Sequence, residues 1–312
     1  MQNRLLFSAF FLLALLLFSF ANRPIQTPEQ LGERLFSDPI LSLDSTISCA
    51  SCHIPEFAFC DTALFSRGVG GRLGKRNSPS ITNMGARPHF FYDGRAATLE
   101  QQVLMPIQDT LEMRATLALV TERLQNHKEY DAAFHQLYGV SANAEKLAEV
   151  LAAFVRTLET SDTPFDRWMN GKPNPMGEAA VRGREVFMKK GKCFDCHFSP
   201  DFTGDEFRNV GLFTGRRNLA DRGRFDVTHD STDLGKFKVP GLRNVALTAP
   251  YMHNGMFQTL EDVIEFYDVP NQTVPGGINR DTLLNTPLGL SVEEKADLKS
   301  FLEALTDDRF RR

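Results

Sequence analysis

Between residues 143 and 160 the apolar side chains Leu147, Val150, Leu151, Phe154, Val155 and Leu158 fall on one stripe of a 3.6-residue repeat, which predicts an amphipathic helix lying on a core. Ser291 with Glu294 behind it, ahead of Leu298, Phe301, Leu302 and Leu305, is a capping-box pattern that starts a last helix near Val292. The string LEQQVLMPIQDTLEM reads as a helix that Pro106 interrupts. Strand-like alternation is scarce, and residues 67–83 and 209–223 are long loops bearing Gly and Asn. The chain is therefore expected to be mainly α, with helices packed around something and extended loops closing over it.

Residues 27–162 and 177–312 look like diverged copies of one unit. Between them Pro164, Gly171, Pro173 and Pro175 crowd residues 163–176 with helix breakers, which suits a connection. The expected domains are an N-terminal one at 22–163 and a C-terminal one at 164–312. Ahead of both, Arg4 precedes an uncharged, largely apolar run at residues 5–20, and the small residues Ser19 and Ala21 resemble a cleavage site. This predicts a signal peptide at 1–21 and export of the rest, with a retained membrane anchor as the alternative.

Composition narrows the function. With 312 residues, 42% hydrophobic and 24% charged, the chain can bury one or two cores and is not a disordered sequence. Lys plus Arg is 35 against 39 Asp plus Glu, a net charge of −4 with no basic block, which excludes a nucleic-acid or anionic-membrane footprint. Five cysteines are too few for a disulfide scaffold, and four of them lie in two Cys-x-x-Cys-His strings: Cys49, Cys52 and His53, then Cys193, Cys196 and His197. Such a string suits covalent c-type haem, because its two thiols can add to the two vinyl groups while the adjacent His ligates iron. A zinc site and a thioredoxin-like redox pair are the competing interpretations. Cys60 is left without an intramolecular partner and reads as a small buried hydrophobe.

A haem that only passes electrons has both axial positions filled, whereas one that activates peroxide keeps one open. No His occurs between His53 and His89, so the loop after the first string offers no imidazole as a sixth ligand. Further on, Gln102, Pro106 and Glu112 follow one another. A carboxylate in an apolar haem pocket can shuttle the peroxide proton; the bland alternative for Glu112 is a solvated charge at a helix end.

Taken together, FSDPILSLDSTISCASCH, RNSPSITN, FFYDGRAATLEQQ, PIQDTLEM, CFDCH and FKVPGLRNVALTAPYMHNG resemble, in order and over nearly the whole chain, the bacterial di-haem cytochrome c peroxidase and MauG superfamily. The resemblance implies two cytochrome-c-like helical domains, each with one haem. It also implies a calcium ion between them, held by Asn77 and the main-chain carbonyls of Thr248 and Pro250. The N-terminal haem would be the peroxide site, with His53 proximal and Gln102, Pro106 and Glu112 distal. The haem on His197 would transfer electrons. The location would be periplasmic, and the partners hydrogen peroxide with either a small cytochrome or copper protein as electron donor or an oxidisable partner protein.

Two positions depart from the common peroxidase pattern. The relay residue between the haems, often Trp in the family, corresponds to Tyr92. The sixth ligand of the second haem, Met in common peroxidases, corresponds to Tyr267, as in MauG-type proteins; Met252 and Met256 are nearby alternatives. A plain electron-transfer di-haem cytochrome is the rival from another functional class.

Overall fold

The computed structural model describes residues 24–173, 175–216 and 219–310, so the leader expected at residues 1–21 lies outside the described residues. The first half is built from α1 (Pro28–Ser37), α2 (Leu99–Gln108), α3 (Leu117–Asn126), α4 (Lys128–Tyr138) and α5 (Ala144–Arg156). Helix α5 starts at Asn143, whose side chain accepts from the Lys146 N–H, and buries Leu147, Val150, Leu151, Phe154 and Val155 as the stripe requires. Helix α1 crosses it at Gly32, where a Cβ would overlap the Val150 carbonyl oxygen. Leu31, Leu35, Ile107, Val120, Leu124, Phe134, Leu147 and Leu151 form the core around that crossing.

The second half contains α6 (Pro164–Met169), α7 (Glu178–Met188), α8 (Phe225–Thr228), α9 (Leu260–Asp268), α10 (Pro270–Thr273) and α11 (Val292–Glu303). Helix α11 carries the capping box of Ser291 and Glu294. Helices α7 and α11 repeat the α1–α5 crossing, with Gly183 against the Asp297 carbonyl. Their core is aromatic: Phe187 and Phe202 both meet Phe301 edge-on, at centroid distances of 5.1 and 5.9 Å. Each such buried ring contributes about 1.5–3 kcal/mol of burial free energy. Two short strands, β1 (Phe207–Arg208) and β2 (Phe237–Lys238), pair antiparallel, and the rest of the segment between α7 and α9 is mostly loop.

Two local expectations are corrected. Pro106 does not interrupt α2; it lies inside its last turn, and the helix continues to Gln108 before Asp109 caps it. So near the end, Pro forfeits only its own backbone bond. Residues 163–176 are not all connection, because Pro164 sits at the first position of α6, where a missing N–H costs nothing, and Thr163 and Asp166 form a capping box.

The likeness of the two halves extends to individual residues. From residue 76 to 106 the chain matches residues 237 to 267 at a constant spacing of 161: Pro79 with Pro240, Asn83 with Asn244, Gly94 with Gly255, and Thr98-Leu99-Glu100 with Thr259-Leu260-Glu261. Backbone conformation repeats as well. Asn83 and Asn244 are both left-handed, at φ 56° and 62°, as are Phe91 and Met252, at φ 65° and 72°. Thr98 and Thr259 both cap their helices, α2 and α9.

Candidate active site

Both Cys-x-x-Cys-His strings fold alike. Each begins a short 3-10 turn, and in each the His N–H donates to the carbonyl of the first Cys at 2.9 Å. His53 Nδ1 lies 3.0 Å from the Phe59 carbonyl and His197 Nδ1 lies 2.8 Å from that of Phe202. Such a bond fixes the tautomer and leaves Nε2 as the metal-binding atom. Burial holds both imidazoles below their ordinary pKa, so they are neutral, as ligation requires. Burial likewise pushes the Cys49 and Cys193 thiols up to about 12 and Cys52 to about 11, the opposite of a reactive redox pair. Among the described residues no group of three His, Cys, Asp or Glu side chains converges on a metal position.

The two strings open into one cavity of about 1120 Å³. That exceeds the range of roughly 300–1,000 Å³ for a pocket holding one small ligand. Its wall includes all six string residues together with Gln102, Pro106, Glu112, Tyr92, Tyr267, Asn77, Thr248 and Pro250. Met252 also lines it, whereas Met256 does not. Two thiols and a free imidazole nitrogen at each end of a largely apolar cavity fit a covalently attached haem at each end.

Glu112 follows α2 on the segment that faces the first string. Its backbone is held by the Val69 N–H, which donates to the Glu112 carbonyl at 2.8 Å. Gly68 lies so close to Leu111 and Glu112 that a Cβ there would overlap both carbonyl oxygens. Burial raises the Glu112 carboxyl to about 7, with Asp109 adding to the rise and Arg95 opposing it. Glu112 is thus no solvated helix-end charge.

Tyr267 lies on α9, near enough to Cys193 and Cys196 that their sulfurs bear on its phenol. Burial pushes that phenol well above its ordinary range. Pro106 and Tyr267 occupy the same position of the repeat, so equivalent helices present proline in one half and a phenol in the other.

Tyr92 sits where the halves meet, its ring 6.5 Å from that of His253, its counterpart in the repeat. Sequence reasoning missed His253, which is buried and stacked on Phe237 at 3.9 Å, and it missed the surrounding charges. Arg76 pairs with Asp93 and Asp221, and Arg87 with Asp201 and Asp205. Lys238 donates from Nζ to the His89 carbonyl at 2.9 Å, and burial brings its ammonium down to about 8. The signal that could have found them is the repeat itself, in which Arg76, Asn77 and Tyr92 face Phe237, Lys238 and His253.

Residues 26–174 match the model of the family described as di-haem cytochrome c peroxidase. The methylamine utilization protein MauG of Methylorubrum extorquens is 36% identical over 285 residues, spanning 89% of this chain and 78% of that protein. The chain belongs to the di-haem cytochrome c peroxidase family. It is a haem peroxidase of mainly helical fold, and the family's two c-type haems match its two strings. Cytochrome c peroxidase Ccp of Escherichia coli is 38% identical over 240 residues, 75% of this chain and 51% of that protein. Among solved structures, a MauG-like protein associated with microbial copper homeostasis superposes with a TM-score of 0.82 at 32% identity, over 93% of this chain and 92% of that one.

Proposed function

We propose that the enzyme reduces hydrogen peroxide at the haem on Cys49, Cys52 and His53, and takes electrons in through the haem on Cys193, Cys196 and His197. The observation that carries this is the unequal pair on α2 and α9. Pro106 has no ligating atom and would offer a haem on the first string no ligand from this position, while Tyr267 at the equivalent place carries a phenol oxygen that could ligate a haem on the second. When bound, the haems supply iron that accepts the two oxidising equivalents of peroxide.

The chain's own residues do the rest. Glu112, as carboxylate on the cavity wall, would accept a proton from peroxide and, as carboxylic acid, return it to the departing oxygen. Gln102, on the same wall, orients the substrate, and Pro106 denies the site a protein ligand. Tyr92 lies on the path between the two halves. Domains divided at 163 and 164 then each carry one haem. The apolar leader sends the enzyme to the periplasm, where a small cytochrome or copper protein would donate. Among the described residues no helix is long and apolar enough to cross a membrane.

Tyr267 in place of Met favours a second interpretation, in which the reducing equivalents come from side chains of a partner protein that is thereby oxidised. Calcium completes the proposal. Asn77 donates its amide Nδ2 to the Ala63 carbonyl at 3.0 Å, which leaves its side-chain oxygen for a cation, and Thr248 and Pro250, whose carbonyls would complete the set, line the same cavity. Neutral oxygens completed by water suit calcium.

The pH dependence of the peroxide reaction tests the acid–base role. A base must be ionised, so the rate on ferric holoenzyme is expected to be low at pH 5, to rise through a midpoint near 7 and to level off above it. A flat profile from pH 5 to 9 would remove Glu112 from the mechanism.

A further inference from the structure

Asn77 and Lys238 are the same position of the repeated unit. The Asn77 N–H donates to the His253 carbonyl at 2.8 Å, and the Lys238 N–H donates to the Tyr92 carbonyl at 2.7 Å. Tyr92 and His253 are themselves counterparts, so the two bonds are exchanged between the halves as by a two-fold axis. The side chains carry the exchange further. Lys238 Nζ binds the carbonyl of His89, and His89 is the counterpart of Pro250, whose carbonyl is assigned with Asn77 to calcium.

The charge pattern agrees. On the same cavity wall Arg76, Arg87, Arg208 and Arg243 each form ion pairs with carboxylates, whereas no carboxylate of the described residues comes within ion-pairing distance of Lys238, nor of Lys75 and Lys192, which do not share its bond to a carbonyl across the junction. A cation held by a carbonyl oxygen rather than by an acid is also how the opposite half would hold its ion. The ammonium is half-buried, and the face of Phe90 at 6.0 Å offsets little of the cost of a charge with no counter-ion, which argues against packing as its only reason to be there.

We propose that the Lys238 ammonium is a tethered cation standing at the duplicate of the calcium position, so that one half of the repeat binds an exchangeable ion and the other carries its own. The junction around Tyr92 and His253 is then flanked by a positive charge on each side, only one of which a chelator can remove. The inference rests on calcium binding at Asn77.

Metal analysis of the purified holoenzyme, equilibrated with calcium and freed of excess, tests it. Wild type is expected to hold one calcium per chain. Lys238→Asn puts a neutral amide oxygen where Asn77 has one, and is expected to raise the count to two while the haem count stays at two. One calcium in folded Lys238→Asn protein overturns the proposal. No calcium in wild type overturns the Asn77 assignment first, and the duplicate with it. Should Lys238→Asn fail to fold, Asn77→Lys decides. It is expected to bind no calcium, yet to keep a wild-type haem spectrum and thermal unfolding that chelator leaves unchanged, while Asn77→Ala loses the ion and shifts both. Asn77→Lys behaving like Asn77→Ala contradicts a lysine serving as the built-in ion.

Discussion

Glu112→Gln is expected to slow the reaction of ferric enzyme with peroxide by about 10²–10⁴-fold, the usual worth of a positioned acid–base group. The reason lies in the site. Glu112 is held over the cavity by the Val69 N–H, and burial brings its carboxyl to about 7, where it can both accept and return a proton at neutral pH. Gln keeps the shape and the hydrogen-bonding capacity but cannot carry the proton. Haem content and the resting spectrum should be unchanged, and the pH dependence with its midpoint near 7 should vanish with the rate. A variant that reacts with peroxide at the wild-type rate would place the acid–base group elsewhere.

Tyr267→Met should act on the other haem. A phenolate favours ferric over ferrous iron, whereas a thioether does the reverse and raises the potential. The Tyr267 phenol is pushed up by burial beside Cys193 and Cys196, so its ionised form would depend on a positive charge opposite it, which a ferric haem on the second string would supply. In a spectroelectrochemical titration one of the two haem potentials is expected to rise, each tenfold change in the ferric–ferrous ratio being about 59 mV. The other haem should keep its potential. With the site easier to reduce and harder to oxidise, any chemistry that stores oxidising equivalents across both haems should weaken. Unchanged potentials and spectrum would mean that another group, such as Met252 on the same cavity wall, is the ligand.

How much of this was legible in the sequence depended on the range of the cause. The stripe from Leu147 to Leu158 and the capping box of Ser291 and Glu294 are local, and both helices start where the pattern put them, although α5 ends at Arg156 and leaves Leu158 just beyond it. The Cys-x-x-Cys-His strings were legible because covalent attachment fixes their spacing. Pro106 was misjudged because helix periodicity does not show how close the helix end lies, and α6 was missed because prolines that end one helix can begin another. What could not be read by periodicity is what the fold brings together from afar. Tyr92 meets His253, and Lys238 reaches His89, across the junction of two halves far apart in the chain. The position of Glu112 likewise depends on Gly68, whose lack of a Cβ lets a distant loop close against its backbone.

With Pro106 offering no ligand and Tyr267 offering a phenol, the proposal requires that the first haem be open and the second closed in the fully ferric enzyme. Mixing that enzyme with stoichiometric hydrogen peroxide, without prior reduction, and following the visible and near-infrared spectra by stopped flow tests it most directly. A fast change in the spectra of both haems, giving a long-lived oxidised state, is the expected result. No reaction until one haem has been reduced would show that the resting site is blocked by a ligand, and would contradict the account.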